Sequence, residues 1–297
     1  MTTADIDAPA PFTCYNSMVP TLPVLLSVPH AGRDYPAELL TNLRVSAAEL
    51  IRLEDRYADR LVQPAIAAGF PAIVAHRARA WVDLNRAETD IDAGMFRGDC
   101  SALSAQPSIK ARGGLGLFPR RLQTCGELWR APMQTDDAAM RIEQMHRPYH
   151  RAIAKTLAQM RDRFGFAVLI DVHSMPPLAS PMQDLDKEQA PPQIVIGDRF
   201  GRSAASLYAE LLIEHFSARG WKAGLNSPYS GDYILQTHGQ PQRDIHAVQL
   251  EIDRSLYLDH AQREPSTGMG RVAALISAIA FDMAQQKYRG NFAEAAE

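Results

Sequence analysis

The run Ala167-Val168-Leu169-Ile170-Asp171-Val172 constrains this chain more than any other segment. It is short, dominated by aliphatic side chains and free of polar alternation. Such a run reads as a strand buried on both faces, and strands of that kind belong to parallel sheets covered by helices. Val24–Val28 (stopped by Pro29), Ala72–Ala75, Gln193–Gly197 and Ala247–Ile252 have the same character. Helical patterns lie between them. Ser46–Ala68 opens on the N-cap candidate Ser46, has Glu49 three residues on, and closes at Gly69. Ile142, Met145, Tyr149, Ile153, Leu157, Met160 and Phe164 recur at steps of 3 or 4, with Pro148 expected to kink this helix and Gly165 to end it. Ser203–Arg219 and Gly268–Gln286 complete the set. The alternation predicts a single-domain α/β fold with a mostly parallel mixed sheet flanked by helices. The domain is expected over residues 21–290, with tails at 1–20 and 291–297. Residues 90–135 lack periodicity and are punctuated by glycine and proline, so they read as functional loop or disorder.

Composition narrows the function. With 31 Lys+Arg against 34 Asp+Glu the formal charge is −3, which excludes a nucleic-acid binder that works by bulk basicity. No stretch reaches the roughly 18–20 apolar residues of a membrane helix. The three cysteines, Cys14, Cys100 and Cys125, are too scattered for a disulfide framework or a zinc knuckle. The N-terminal residues lack the pattern of a signal peptide, so a reducing cytoplasm is the expected setting.

Polar groups at strand ends carry the chemistry, because sites in open parallel sheets form beyond the carboxyl ends of strands. His30 follows VLLSVP, His173 follows AVLIDV with Ser174 beside it, and Glu251 stands inside AVQLEI, where an unpaired carboxylate is costly to bury. Two histidines with one carboxylate, Glu54 or Asp55, would make a three-ligand zinc site with an open fourth position. Against this, a strand-end histidine is commonly structural, and EDRYADR reads equally as a solvated helix face. Asp83-Leu84-Asn85-Arg86 is either an Asx turn or a carboxylate clamp built on the Arg86 fork. Gly113-Gly114-Leu115-Gly116 does not match a phosphate loop, and no GxSxG elbow occurs.

PHAG at 29–32, DLNR at 83–86, RPYHR at 147–151, DVHS at 171–174 and HAVQLEIDRSLY at 246–257 occur in that order. In these motifs the chain resembles the N-formylglutamate amidohydrolase family, which is itself similar to the zinc carboxypeptidase and aspartoacylase group. The resemblance implies one zinc ion per chain, held by His30, His173 and Asp55, with Glu54 the alternative carboxylate. It implies Glu251 as general base, Arg86 as catalytic residue and substrate clamp, and Asn85, Arg254 and Ser174 as substrate contacts. Tyr229–Tyr233 lies where substrate-specific contacts are expected. The implied activity is hydrolysis of an N-acyl amino acid, N-formyl-L-glutamate to formate and L-glutamate, in histidine degradation. Alternatives are the same chemistry on another N-acyl amino acid or small peptide, and a non-catalytic carboxylate-binding protein. The expected partner is a small molecule, not nucleic acid or membrane, and oligomeric state is not legible.

Overall fold

In the computed structural model, residues 10–97, 103, 105–178 and 190–286 are described; the expected tail at 291–297 lies outside them. The described residues form nine strands: β1 Phe12–Tyr15, β2 Val24–Val28, β3 Ala72–Ala75, β4 Arg121–Leu122, β5 Gly126–Glu127, β6 Ala167–Met175, β7 Ile194–Gly197, β8 Ala223–Leu225 and β9 Ile245–Asp253. Seven form one sheet in the order β1-β3-β2-β6-β9-β7-β8, and β4 pairs with β5 separately. The centre is parallel (β3, β2, β6, β9), β1 and β7 join antiparallel to it, and β8 is parallel to β7. The expected mixed, mostly parallel sheet is present.

Alternation along the buried strands divides the two faces. One face carries Val24, Leu26, Val28, Val168, Ile170, Val172, Val248, Leu250 and Ile252, and packs on the 58–67 segment and the helices Ser206–Ser217 and Met269–Ala284. The other begins apolar with Leu25, Leu169 and Ala247 and packs on described residues between 80 and 145, among them Leu84, Leu117 and Met145, and on the helix Arg147–Phe164. Toward the carboxyl ends that second face turns polar. Ser27 is the register partner of Asp171, Asp171 of Gln249, and His173 of Glu251. All of these side chains are buried.

Four segments depart from expectation. Ser46–Ala68 is not one helix but a 3₁₀ segment Ala47–Leu53 and two short helices, Ala58–Leu61 and Gln63–Ala67. Glu54 is extended and Tyr57 is left-handed at φ 62°, because the Asp55 amide donates to the carbonyl of His30 (2.9 Å) instead of continuing a helix. Phe12–Tyr15, inside the expected tail, forms the edge strand β1, and the β3 ladder supplies its partners. Pro148 does not interrupt its helix, since it lies in the first turn of Arg147–Phe164, where its missing N–H is not needed. One π-helical turn, Ile142–His146, joins that helix to Thr135–Arg141. Within the aperiodic 90–135 stretch, the described residues Ile91, Met95, Phe96, Leu117, Phe118, Leu128 and Met133 are packed into the second core.

Candidate active site

Charged groups in a dry interior must be paired, and the polar stripe meets that demand with two carboxylate–histidine pairs. His30 Nε2 lies 2.7 Å from Asp83 Oδ1, and His173 Nε2 lies 2.8 Å from Asp171 Oδ2. A carboxylate only accepts, so in the neutral imidazole, the form that ligates a metal, each Nε2 carries the proton and each Nδ1 presents its lone pair. Both lone pairs face one carboxyl oxygen: Asp55 Oδ2 is 3.0 Å from His173 Nδ1 and 3.5 Å from His30 Nδ1. The three ligand atoms lie within 4.8 Å of one another, and all three residues are buried.

The surrounding chain fixes each member. Gly32 allows the loop after β2 to run against His76-Arg77, since a Cβ there would sit 2.0 Å from the Arg77 carbonyl oxygen. This places His30. Asp83 is oriented by the Asn85 amide (2.9 Å) and by Arg79 (2.7 Å). Ser27 donates to Asp171 Oδ1 at 2.8 Å. Asp55 Oδ1 accepts from Ser174 Oγ at 3.1 Å, and Arg254 reaches Ser174 Oγ (3.0 Å) and the Glu54 carbonyl (2.7 Å). Glu54 turns away: its carboxylate pairs with the Tyr35 hydroxyl and with Arg56 (2.9 Å). Of the two carboxylates open in the sequence, Asp55 is therefore the one in the cluster.

The electrostatics follow from burial and pairing. Burial pushes the Asp55 carboxyl up, but the neighbouring His173 and His30 outweigh it and hold the group well below the usual range. For Asp83, burial is likewise outweighed, chiefly by Arg79 and His30. Burial alone would lower His173, yet Asp171 and Asp55 raise it well above the ordinary value. Glu251 behaves oppositely. Burial pushes it up to about 7, against the pull of the His173 charge. Gln249 Nε2 donates to Glu251 Oε1 at 2.9 Å, which orients the carboxyl.

Arg86 is buried and half committed. Its Nη1 donates to Asp232 Oδ1 (3.1 Å), and Lys110 holds the other Asp232 oxygen at 2.6 Å. Its Nε stands 3.8 Å from Asp83 Oδ2 and has no hydrogen-bond partner among the described residues. Asn85 Oδ1 accepts from the Ile234 amide at 2.8 Å, and its Nδ2 lies 3.3 Å from His173 Nε2. The turn is braced from beneath: His150 Nε2 meets the Leu84 carbonyl (2.9 Å) and His146 Nε2 the Arg86 carbonyl (2.8 Å), while His238 Nε2 meets His150 Nδ1 (2.9 Å). The sequence reading places Asp83 and Asp171 in motifs and Asp232 in the 229–233 stretch but assigns none of them a role of its own, and it does not single out Lys110. The D-x-H spacing of Asp171 and His173 was a usable signal, because residues two apart in a strand share a face.

A tetrahedral metal with bonds of ~2.0–2.1 Å separates its ligand atoms by about 3.3 Å, close to the 3.0 and 3.5 Å found here. His30 Nδ1 is buried with no hydrogen-bond partner among the described residues. Its counterpart nitrogens are held by carboxylates, as in metal-ligating histidines generally. Fold and cluster thus define a class: an α/β protein whose strand ends carry a two-histidine, one-carboxylate set that could hold a single divalent metal, beside a carboxyl group titrating near neutrality. Residues 22–258 match the sequence profile of N-formylglutamate amidohydrolase, and the chain belongs to that family. It is 30% identical over 241 residues to the N-formylglutamate deformylase of Pseudomonas aeruginosa, covering 80% of this chain and 83% of that one. It is 30% identical over 247 residues to the enzyme of the same name from Pseudomonas putida, covering 83% and 85%. The crystal structure of an N-formylglutamate amidohydrolase from Ralstonia eutropha superposes with a TM-score of 0.85 at 26% identity, covering 95% of this chain and all of that one. Among the described residues, no helix is long and apolar enough to cross a membrane.

Proposed function

We propose that this chain hydrolyses N-formyl-L-glutamate to formate and L-glutamate, using one zinc ion held by His30, Asp55 and His173. The observation that carries the reading is the convergence of two histidine lone pairs and one carboxylate beside Glu251; the names of the relatives suggest the substrate. When bound, zinc supplies Lewis acidity that polarises a carbonyl oxygen and brings the pKa of water toward ~7. Glu251, oriented through Oε1 by Gln249, takes the proton of the attacking water and returns it to the leaving nitrogen as the C–N bond breaks. A carboxyl group with a pKa near 7 suits both directions of transfer. Arg86 binds a substrate carboxylate through the donors that Asp232 leaves free. Asn85, Ser174 and Arg254 act mainly by holding the cluster, since their polar atoms are engaged with Ile234, Asp55 and Glu54. The proposed setting is the cytoplasm, where Cys14 and Cys125, both free, stay reduced.

The test is a panel of N-formyl and N-acetyl amino acids offered to the purified zinc-loaded chain, with release of the free amino acid measured. N-formyl-L-glutamate is expected to have the highest kcat/KM. A higher value for another N-acyl amino acid would overturn the substrate, and no hydrolysis of any would overturn the enzyme.

A further inference from the structure

A cavity of about 340 Å³ lies outside the metal cluster, between the helix Ala37–Thr41, residues 129–134 and the helix Thr135–Arg141. Trp81, Trp129, Met95 and Met140 line it, Arg141 lies in its wall, and Glu38 and Asp137 stand at exposed positions around it. Arg141 is only 8% exposed. Its guanidinium lies 3.6 Å from the centre of the Trp81 ring, and its Nη1 donates to the Trp81 carbonyl at 3.1 Å. Its Nε is buried with no hydrogen-bond partner among the described residues.

A buried charged donor without an acceptor is costly, and the residue that carries this one lines the cavity. The Nε edge of a guanidinium is one of the edges that bind a carboxylate with two parallel donors. A simple anion would also meet the repulsion of Glu38 and Asp137, whereas a simple cation would meet Arg141. A ligand carrying both charges answers both, and the indole and thioether walls call for an apolar remainder. We propose that this cavity binds a free α-amino acid with an apolar side chain. Its carboxylate lies on the Nε edge of Arg141, its ammonium beside Glu38 and Asp137, and its side chain against Trp81, Trp129 and the methionines. The cavity is within the size range of small-molecule sites.

Two of the three tryptophans line this cavity, so their fluorescence reports occupancy. The full-length chain is titrated with L-leucine, L-methionine and L-phenylalanine. At least one is expected to give a saturable change. Its amide, which lacks the carboxylate, and its N-acetyl form, which lacks the ammonium, should each bind about 10-fold or more weakly. Arg141→Gln should abolish binding. Because Arg141 also packs on Trp81, the exposed pair Glu38→Gln and Asp137→Asn is the second arm, expected to weaken the amino acid and leave its N-acetyl form unchanged. The proposal is overturned if none of the three amino acids saturates, if the N-acetyl form binds as tightly, or if the double variant binds as wild type does. It is equally overturned if L-glutamate displaces the ligand and the ligand inhibits turnover competitively, since the catalytic site would then be the one occupied.

Discussion

His173 on β6 and Glu251 on β9 are register partners across the two central parallel strands. One candidate ligand and the proposed base therefore stand side by side on the same face, at a separation set by the sheet and not by a loop. Rigid strands hold a catalytic pair more accurately than loops do.

The Glu251→Gln substitution keeps size and the contact with Gln249 but cannot accept a proton. Turnover should fall by roughly 10²–10⁴, the usual contribution of a general base, with zinc content unchanged. Loss of zinc in this variant would make Glu251 a ligand instead, and near-normal turnover would remove it from the mechanism.

Zinc should bind at one ion per chain, measured by elemental analysis after dialysis, and chelation should abolish turnover. His30→Ala, His173→Ala and Asp55→Ala each remove one of only three proposed protein ligands and should lose the metal. Asp83→Asn leaves all three in place but weakens the orientation of His30 Nε2. Zinc affinity should then drop about 10- to 100-fold. Wild-type affinity in His30→Ala would defeat the proposed ligand set.

Arg86→Lys retains a charge near Asp232 but loses the planar fork. On the clamp reading kcat/KM should fall by roughly 10- to 150-fold, about 1.5–3 kcal/mol, with zinc content unchanged. The deciding comparison is a substrate whose α-carboxylate is amidated: wild type should prefer the acid strongly and Arg86→Lys only weakly. Equal discrimination by both would move the carboxylate contact elsewhere.

Stability should depend on pH through the histidines beneath the Leu84–Arg86 turn. Burial lowers His150 to about 2 and His238 to about 4, below the ~6.5 of an unfolded chain. Between pH 6.5 and 4 the unfolded state therefore binds protons that the folded state refuses. This part of the stability is complete above about 6.5 and declines as pH falls, at about 1.4 kcal/mol per pH unit for each histidine. Melting curves of the zinc-loaded protein from pH 7.5 to 5 should show His238→Asn losing stability less steeply than wild type. Parallel slopes would mean that His238 titrates normally in the folded protein.

The sequence by itself determined the five central runs of the seven-stranded sheet and its three long helices, because uninterrupted aliphatic runs such as 167–172 can satisfy their surroundings only when covered on both faces. It also marked His30, His173 and Glu251, since polar side chains at the ends of such runs stand out by contrast. Local pattern could not determine where Asp55 goes. The capping signals of 46–68, Ser46 with Glu49 at one end and Gly69 at the other, predict a continuous helix, and the break at Glu54-Asp55 arises from a backbone hydrogen bond to His30, about two dozen residues earlier. The choice between Glu54 and Asp55 rests on the same tertiary fact, because Tyr35 and Arg56 claim one carboxylate and the two histidines the other. Asp83 and Asp171 take their roles in the same way. A buried imidazole needs an acceptor for its proton, and which carboxylate supplies it depends on which strands and turns lie within reach once the chain is folded.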